Sequence, residues 1–306
     1  MLPAMANIDS LFPGFKAHWI DGPVGKIFAR VGGEGPPLVL IHGFPQTHAE
    51  WHRLAPELAK THTVVCPDLR GYGWSAAPHG DGGKETYTKR GMGEDIVTVM
   101  QALGHIRFGV IGHDRGARVA YRLDHPGRVE RLALLDILPT VSMWEGMNAA
   151  RAMQVYHWTF LAQPEPIPEN LLKADPVGWL DRTIASWSRA KTLDLFDPLA
   201  MRSYAESFSD PSRSHAACED YRAGATTDIE HDKADLAAGK RILCPTLVLW
   251  GEAGIPAKGA SPLAIWHQTF APQAEGQAID SGHFLPEENP QATLAALKPF
   301  LARAAA

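Results

Sequence analysis

Cysteine is scarce in this chain. Only Cys66, Cys218 and Cys244 occur among 306 residues, widely spaced and without a C-x-x-C pair. That excludes a disulfide framework and a cysteine-rich zinc site, and it is the usage expected in a reducing compartment. Long hydrophobic runs are missing as well: no stretch approaches 18 apolar residues, so no membrane-spanning helix is expected. The first residues, Met1 to Asp9, hold neither a basic stretch nor an apolar run, so no secretory leader is expected. Nor is there a basic excess. With 29 Lys and Arg against 34 Asp and Glu, the formal net charge is −5, which argues against nucleic-acid and anionic-membrane partners. The simplest expectation is a soluble, cytoplasmic protein that acts on a small molecule. A hydrophobic fraction of 45% is that of an ordinary globular protein. The length allows one large α/β domain, or a core with an insertion.

What is present is an alternation. Short apolar, β-branched runs predict strands at Leu38–Ile41, Thr63–Cys66, Phe108–Ile111, Leu132–Leu135, Thr246–Trp250 and Gln277–Ile279. Between them, Met92–Leu103 places Ile96, Val99, Met100 and Leu103 on one helical face, and Ala117–Leu123 reads as a helix stopped by Asp124-His125-Pro126. Such a rhythm predicts a mostly parallel sheet flanked by helices. It fails between about Pro139 and Leu236, where strand signals nearly vanish and helical pieces are punctuated by Pro164, Pro168, Pro176, Pro198 and Pro211. The expected organisation is a core over 1–139 and 236–306 with a helical lid over 140–235. Ala76–Lys84, rich in Gly, Asp and His, reads as a solvated loop.

The chemistry is signalled by Gly112-His113-Asp114-Arg115-Gly116, directly after one strand and before one helix. This is the G-x-nucleophile-x-G elbow in its strand–turn–helix setting. The apex is Asp, not Ser. A carboxylate is already anionic at neutral pH and attacks a saturated carbon in line, giving an alkyl ester of the enzyme. A water activated by a histidine then cleaves that ester. Alkyl halides and epoxides are the substrates that suit such a nucleophile. The base candidate is His283, in Ser281-Gly282-His283-Phe284 after the last strand. Asp136, at the end of Leu132–Leu135, is the candidate acid that orients it, with Glu252 as the alternative. Backbone N–H groups of Phe44, in His42-Gly43-Phe44-Pro45, and of Arg115 are the candidate oxyanion donors.

Arg115 and Arg118 share one helix face at i, i+3, and two guanidinium groups beside a carboxylate nucleophile suit capture of a small carboxylate anion. His157, Trp158 and Tyr221 offer an imidazole, an indole N–H and a phenol O–H that would cradle a leaving halide without a metal. From spacing alone, His157 and Trp158 read as packing as readily as function, and Trp144 and Trp179 read as packing. His48-Ala49-Glu50-Trp51-His52 misses the zincin spacing, because its Glu follows the first His by two residues.

The motifs Leu11-Phe12-Pro13-Gly14-Phe15, His42-Gly43-Phe44-Pro45-Gln46-Thr47-His48, Gly112-His113-Asp114-Arg115-Gly116-Ala117-Arg118, Leu135-Asp136-Ile137-Leu138-Pro139, Tyr156-His157-Trp158 and Glu219-Asp220-Tyr221-Arg222, with the Ser281–Phe284 segment, carry a resemblance that extends over nearly the whole chain. The sequence resembles the fluoroacetate dehalogenases of the α/β-hydrolase superfamily. The resemblance implies an α/β-hydrolase fold and hydrolysis of a short 2-haloacid to the 2-hydroxyacid and halide. It implies Asp114 as nucleophile, His283 and Asp136 as base and acid, and Arg115 and Arg118 on the substrate carboxylate. His157, Trp158 and Tyr221 would surround the halide, with Trp187 as a pocket wall. It also implies a homodimer and no cofactor or metal. Two rivals remain. An epoxide hydrolase would want two lid tyrosines on the epoxide oxygen and has no use for the arginines. A non-catalytic hydrolase-fold binding protein need not keep nucleophile, base and acid together.

Overall fold

A computed structural model describes residues 7–123, 127–254 and 261–303. Strands β1 (Lys16–Gly22), β2 (Gly25–Gly32), β3 (Pro37–Ile41), β4 (Thr63–Pro67), β5 (Phe108–His113), β6 (Val129–Leu135), β7 (Thr246–Gly251) and β8 (Glu275–Ile279) form one sheet. Their order is β1-β2-β4-β3-β5-β6-β7-β8. The β1–β2 and β2–β4 pairs are antiparallel, and every pair from β4–β3 onward is parallel. All six predicted strands are present. β5 runs two residues past its predicted end, through Gly112 to His113.

The β1–β2 hairpin was not anticipated. β1 lies at the sheet edge and is half exposed, so its Lys16, His18 and Asp21 interrupt any apolar run. The central strands differ for a physical reason. β3 and β5 are covered on both faces and almost wholly buried, which is why they read as continuous apolar segments.

Helices α1 (Ala55–Leu58), α2 (Lys89–Ala102) and α3 (Asp114–Tyr121) belong to the first half of the sheet. Between β6 and β7 stand α4 (Thr140–Glu145), α5 (Ala149–Gln154), α6 (Tyr156–Leu161), α7 (Ile167–Leu172), α8 (Pro176–Trp187), α9 (Pro198–Phe208), α10 (Pro211–Ala225) and α11 (Thr227–Ala237), with no strand among them. Pro176, Pro198 and Pro211 open α8, α9 and α10 rather than break them. Asp175, Asp197 and Asp210 precede them as N-caps, accepting from the amides of Gly178, Leu199 and Ser212. Helices α12 (Pro262–Gln268), α13 (Leu285–Glu288) and α14 (Pro290–Leu301) complete the fold. None of the described helices is long and apolar enough to cross a membrane.

The loop over 76–84 corrects the sequence expectation in part. His79, Asp81, Gly82 and Lys84 are exposed as expected, but Gly83 is buried and the loop is tied down, because Glu219 Oε2 on α10 accepts from the amides of Gly82 and Gly83 at 2.9 and 3.0 Å. The Asp124-His125-Pro126 breaker lies outside the described residues.

β3 pairs with β4 on one side and β5 on the other, so the chain leaves the carboxyl ends of β3 and β5 in different directions. A crevice opens where the winding reverses, and that is where ligands bind in α/β sheets. His42–Pro45 follows β3 there, and Asp114 follows β5. The elbow fits only because its glycines are bare. A Cβ on Gly112 would sit 2.6 Å from the Ala117 Cα, and one on Gly116 would sit 2.1 Å from the Ile41 carbonyl oxygen. Both obstacles are backbone and cannot swing aside. Gly116→Ala is therefore expected to lower folding stability by about 1–3 kcal/mol, the range for overpacking a filled site. Urea unfolding of the variant beside wild type measures this, and an unchanged midpoint would show that the elbow has slack.

Candidate active site

Asp114 is the first residue of α3, and its φ of +45° is left-handed. Asp tolerates that region better than most residues, yet it remains a strained place for a side chain. The turn lifts the carboxylate off the end of β5 into the crevice. The Phe44 N–H donates to Asp114 Oδ1 at 3.0 Å. The Arg115 N–H lies in the first turn of α3, where amides have no intrahelical acceptor. One carboxylate oxygen is thus held by a backbone N–H, and Oδ2 is the oxygen nearer His283.

On that side stands His283, with Nε2 3.6 Å from Asp114 Oδ2, an ion-pair rather than a hydrogen-bond separation. Its Nδ1 is 2.6 Å from Asp136 Oδ2. Asp136 directly follows β6 with φ +54°, and its Oδ1 accepts from the Gly251 N–H at 2.8 Å. The His283 backbone N–H donates to the Trp187 carbonyl at 3.0 Å. Glu252 is not beside this pair: it is exposed and faces Arg189 at 3.4 Å. Burial by itself would lower the His283 pKa, but the Asp114 and Asp136 carboxylates outweigh it and push it up to about 10. Burial likewise would raise Asp114, yet His283 first, then His113 and Arg115, hold it far below the usual carboxylate range. The resting arrangement is an imidazolium between two carboxylates.

The two arginines have different surroundings. Arg115 is fully buried and gives Nε to Asp220 Oδ2 at 3.0 Å and Nη2 to Asp220 Oδ1 at 2.6 Å. Most of its donor capacity is therefore taken by a buried acid, and Nη1 is left without a partner among the described residues. Sequence reasoning treated Arg115 and Arg118 alike and gave Asp220 no role. Asp220 also accepts from the Tyr72 hydroxyl at 2.8 Å and from Lys89 Nζ, which reaches Asp228 at 3.0 Å as well. Its position next to Tyr221 in an otherwise polar run was the one available signal. Arg118 gives Nη1 to the Leu138 carbonyl at 2.9 Å and to Thr140 Oγ1 at 3.1 Å. Its Nε is unpartnered, and no carboxylate pairs with it among the described residues. Burial, then the neighbouring Arg115 charge, lowers its pKa. A buried cation in that condition is stabilised by any anion that reaches it.

The helical insertion covers the crevice with aromatic rings. His157 and Trp187 have centroids 4.4 Å apart, Trp187 and His283 5.3 Å, and His157 and Tyr221 5.7 Å. The Tyr221 hydroxyl and His157 Nδ1 are buried and have no partner among the described residues. Burial pushes the His157 pKa down to about 3, so its ring is neutral. Trp158 lies over the guanidinium groups, 4.5 Å from Arg118 Cζ and 5.8 Å from Arg115 Cζ. Its neighbours in the structure are therefore the cations as much as Tyr221. Behind the elbow, Glu50 Oε2 accepts from the Gly43 N–H at 3.1 Å and meets His113 Nδ1 at 3.3 Å, while His113 Nε2 reaches the His283 carbonyl at 2.8 Å. Neither Glu50 nor His113 was singled out from sequence, since nothing local marks a residue that acts from behind the site.

Asp220→Asn keeps the shape but removes the negative charge between Arg115 and Lys89. Breaking a buried pair costs about 3–5 kcal/mol. Burial would raise the Asp220 pKa, but Arg115 and Lys89 bring it to about 2, below its unfolded value of about 3.9. A depressed carboxylate contributes its stability above the unfolded pKa and loses it as pH falls toward the folded one. The gap between wild type and Asp220→Asn in urea unfolding should be full near neutrality and shrink below about pH 4. A gap that ignores pH would place the stabilisation elsewhere.

The alpha/beta hydrolase fold family model matches residues 36–290. A fluoroacetate dehalogenase from Burkholderia sp is 40% identical over 296 residues, 96% of this chain and 96% of the relative. A soluble epoxide hydrolase from Corynebacterium sp. (strain C12) is 30% identical over 295 residues, 95% of each chain. Among solved structures, an alpha/beta hydrolase from Nostoc sp PCC 7120 superposes with a TM-score of 0.91 at 46% identity, covering 95% of this chain and 99% of that one. The sheet order, the elbow after β5 and relatives of near-equal length lead to one placement: the chain belongs to the alpha/beta hydrolase family.

Proposed function

We propose that the protein is a hydrolytic dehalogenase of short 2-haloacids such as fluoroacetate or chloroacetate, with the helices between β6 and β7 acting as its lid. The observation that carries this reading is Arg118, a buried guanidinium without an anionic partner beside an ionised carboxylate nucleophile. A substrate carboxylate bridging Arg118 and Arg115 Nη1 satisfies both orphaned donors and holds the halogen-bearing carbon before Asp114. The similarity to fluoroacetate dehalogenase supports the same substrate class.

The steps follow from charge. Asp114 Oδ2 attacks the carbon, the halide leaves with the bonding pair, and an ester forms. His157 and Tyr221, with Trp158, are the donors proposed for the departing halide. Esterification removes the Asp114 charge, so His283 loses one of the two carboxylates that hold its proton. Its pKa falls, the proton departs to solvent, and neutral His283 takes a proton from water as that water attacks the Asp114 carbonyl carbon. Phe44 and Arg115 N–H groups stabilise the oxyanion on Oδ1. Collapse releases the 2-hydroxyacid and restores the carboxylate. One water is consumed, and one halide and one proton are released.

The epoxide-hydrolase alternative needs two free tyrosine hydroxyls. Of the six tyrosines, Tyr72, Tyr87, Tyr121 and Tyr204 give theirs to Asp220, the Pro78 carbonyl, Asp232 and Glu287, and Tyr156 is exposed. That leaves Tyr221. Halide release from fluoroacetate and chloroacetate, measured beside hydrolysis of styrene oxide, separates the readings: halide without diol is expected, and diol without halide would replace this proposal. In the same assay His283→Asn should release a single stoichiometric halide and leave an adduct visible by intact-protein mass spectrometry. Halide release abolished from the first turnover would refute the two-step assignment.

Arg118→Leu should raise KM for haloacetates by roughly ten- to a hundredfold, the equivalent of a charge-assisted hydrogen bond of about 1.5–3 kcal/mol. Neutral haloacetamides should be spared in relative terms. Equal losses on acid and amide would mean that Arg118 supports the fold rather than the substrate.

A further inference from the structure

Outside the crevice, three segments bring metal-binding side chains together. His79 lies on the loop between β4 and α2, Glu165 on the link between α6 and α7, and His215 on α10. Each offers one donor atom, and the three atoms lie within 4.8 Å of one another. His79 Nε2 is 3.9 Å from Glu165 Oε2, and His215 Nδ1 is 3.9 Å from Glu165 Oε1. The imidazoles are stacked, with centroids 4.5 Å apart and an interplanar angle of 6°. We propose that His79, Glu165 and His215 form a site for a divalent first-row transition metal of the zinc type, which pins the helical insertion to the loop over 76–84.

Three features support it. First, two imidazoles and one carboxylate form a donor set that zinc takes, with water completing a tetrahedron. Second, the donors stand near binding distance. Metal–ligand lengths of about 2.0–2.2 Å imply donor spacings of about 3.4 Å, and a metal lies in the plane of each ring it binds, so His79 must turn out of the parallel stack as the donors close in. His79 and Glu165 have side chains 75% and 50% exposed and are free to make that shift. Third, the more buried His215 is braced. Glu169 Oε1 lies 3.1 Å from its Nδ1, which leaves Nε2 as the metal donor once it releases the long contact, 3.4 Å, from the Gly80 N–H. A carboxylate behind a histidine is the outer contact that orients such rings on metals. The cluster shares no residue with the proposed catalytic set, so the metal is assigned a structural role and no part in the reaction.

Zinc chloride titrated calorimetrically into the metal-stripped full chain tests the site. About one equivalent should bind. His79→Ala and Glu165→Gln should each weaken binding at least about tenfold. Zinc should raise the thermal midpoint of wild type and not that of His79→Ala, whose exposed position makes misfolding no explanation. No binding up to about 1 mM would overturn the proposal, as would equal binding by all three proteins, which would mean capture by other histidines. Binding that the variants lose, but that leaves the wild-type midpoint unmoved, would overturn the pinning. Halide release without added zinc is unaffected by any of these outcomes and tests the dehalogenase reading separately.

Discussion

The buried carboxylate of Asp220 holds the two halves of the molecule in one electrostatic unit. It belongs to α10 of the insertion, while the groups that surround it, Arg115, Lys89 and Tyr72, belong to the sheet half. No member of that group is exposed. Charges taken this far from water persist only when each is met by an opposite charge or a full set of hydrogen bonds. The insertion therefore cannot shift far over the crevice without exposing Arg115 and Lys89 to an uncompensated interior. The same contact fixes the direction of the Arg115 guanidinium and leaves Nη1 as its nitrogen without a partner among the described residues.

A second constraint comes from the ends of adjacent strands. Asp114 and Asp136, the residues immediately after β5 and β6, both have positive φ, and both side chains are turned toward one histidine. Strain at two positions is sustained because the backbone around them is over-determined. Gly116 packs against the Ile41 carbonyl, Phe44 binds one oxygen of Asp114, and Gly251 binds one oxygen of Asp136. Charge alternation supports this, because His283 stands between the two carboxylates, 3.6 Å from Asp114 and 2.6 Å from Asp136.

Within this family, selectivity is expected to lie in what faces the nucleophile rather than in the nucleophile itself. Here those groups are a pair of cations roofed by Trp158, and a wall of His157, Trp187 and Tyr221 in which polar atoms are left without partners among the described residues. That surface is the one on which the proposed haloacid reading depends.

Much of this protein was legible in the sequence, for identifiable reasons. The central strands announced themselves because a strand covered on both faces must be apolar throughout. The elbow was legible because a sharp strand-to-helix turn admits only glycine at two places; Asp136, directly after β6, and His283, four residues past the end of β8, were marked by their places at strand ends, and the structure brings their side chains together. The β1–β2 hairpin was hidden, since an edge strand mixes exposed polar and buried apolar residues without a clear run. The loop over 76–84 looked solvated because its glycines and acids are surface residues by composition; only the approach of Glu219, far along the chain, ties down the amides of Gly82 and Gly83. Arg115 and Arg118 were equivalent by spacing, and the fold made them unequal by bringing Asp220 to one of them. The sequence by itself determined the periodicities, the turns and the chemical types at strand ends, all of which are local. Tertiary structure alone decided which charges meet, because pairing across more than a hundred residues depends on distance in space and leaves no periodic mark on the chain.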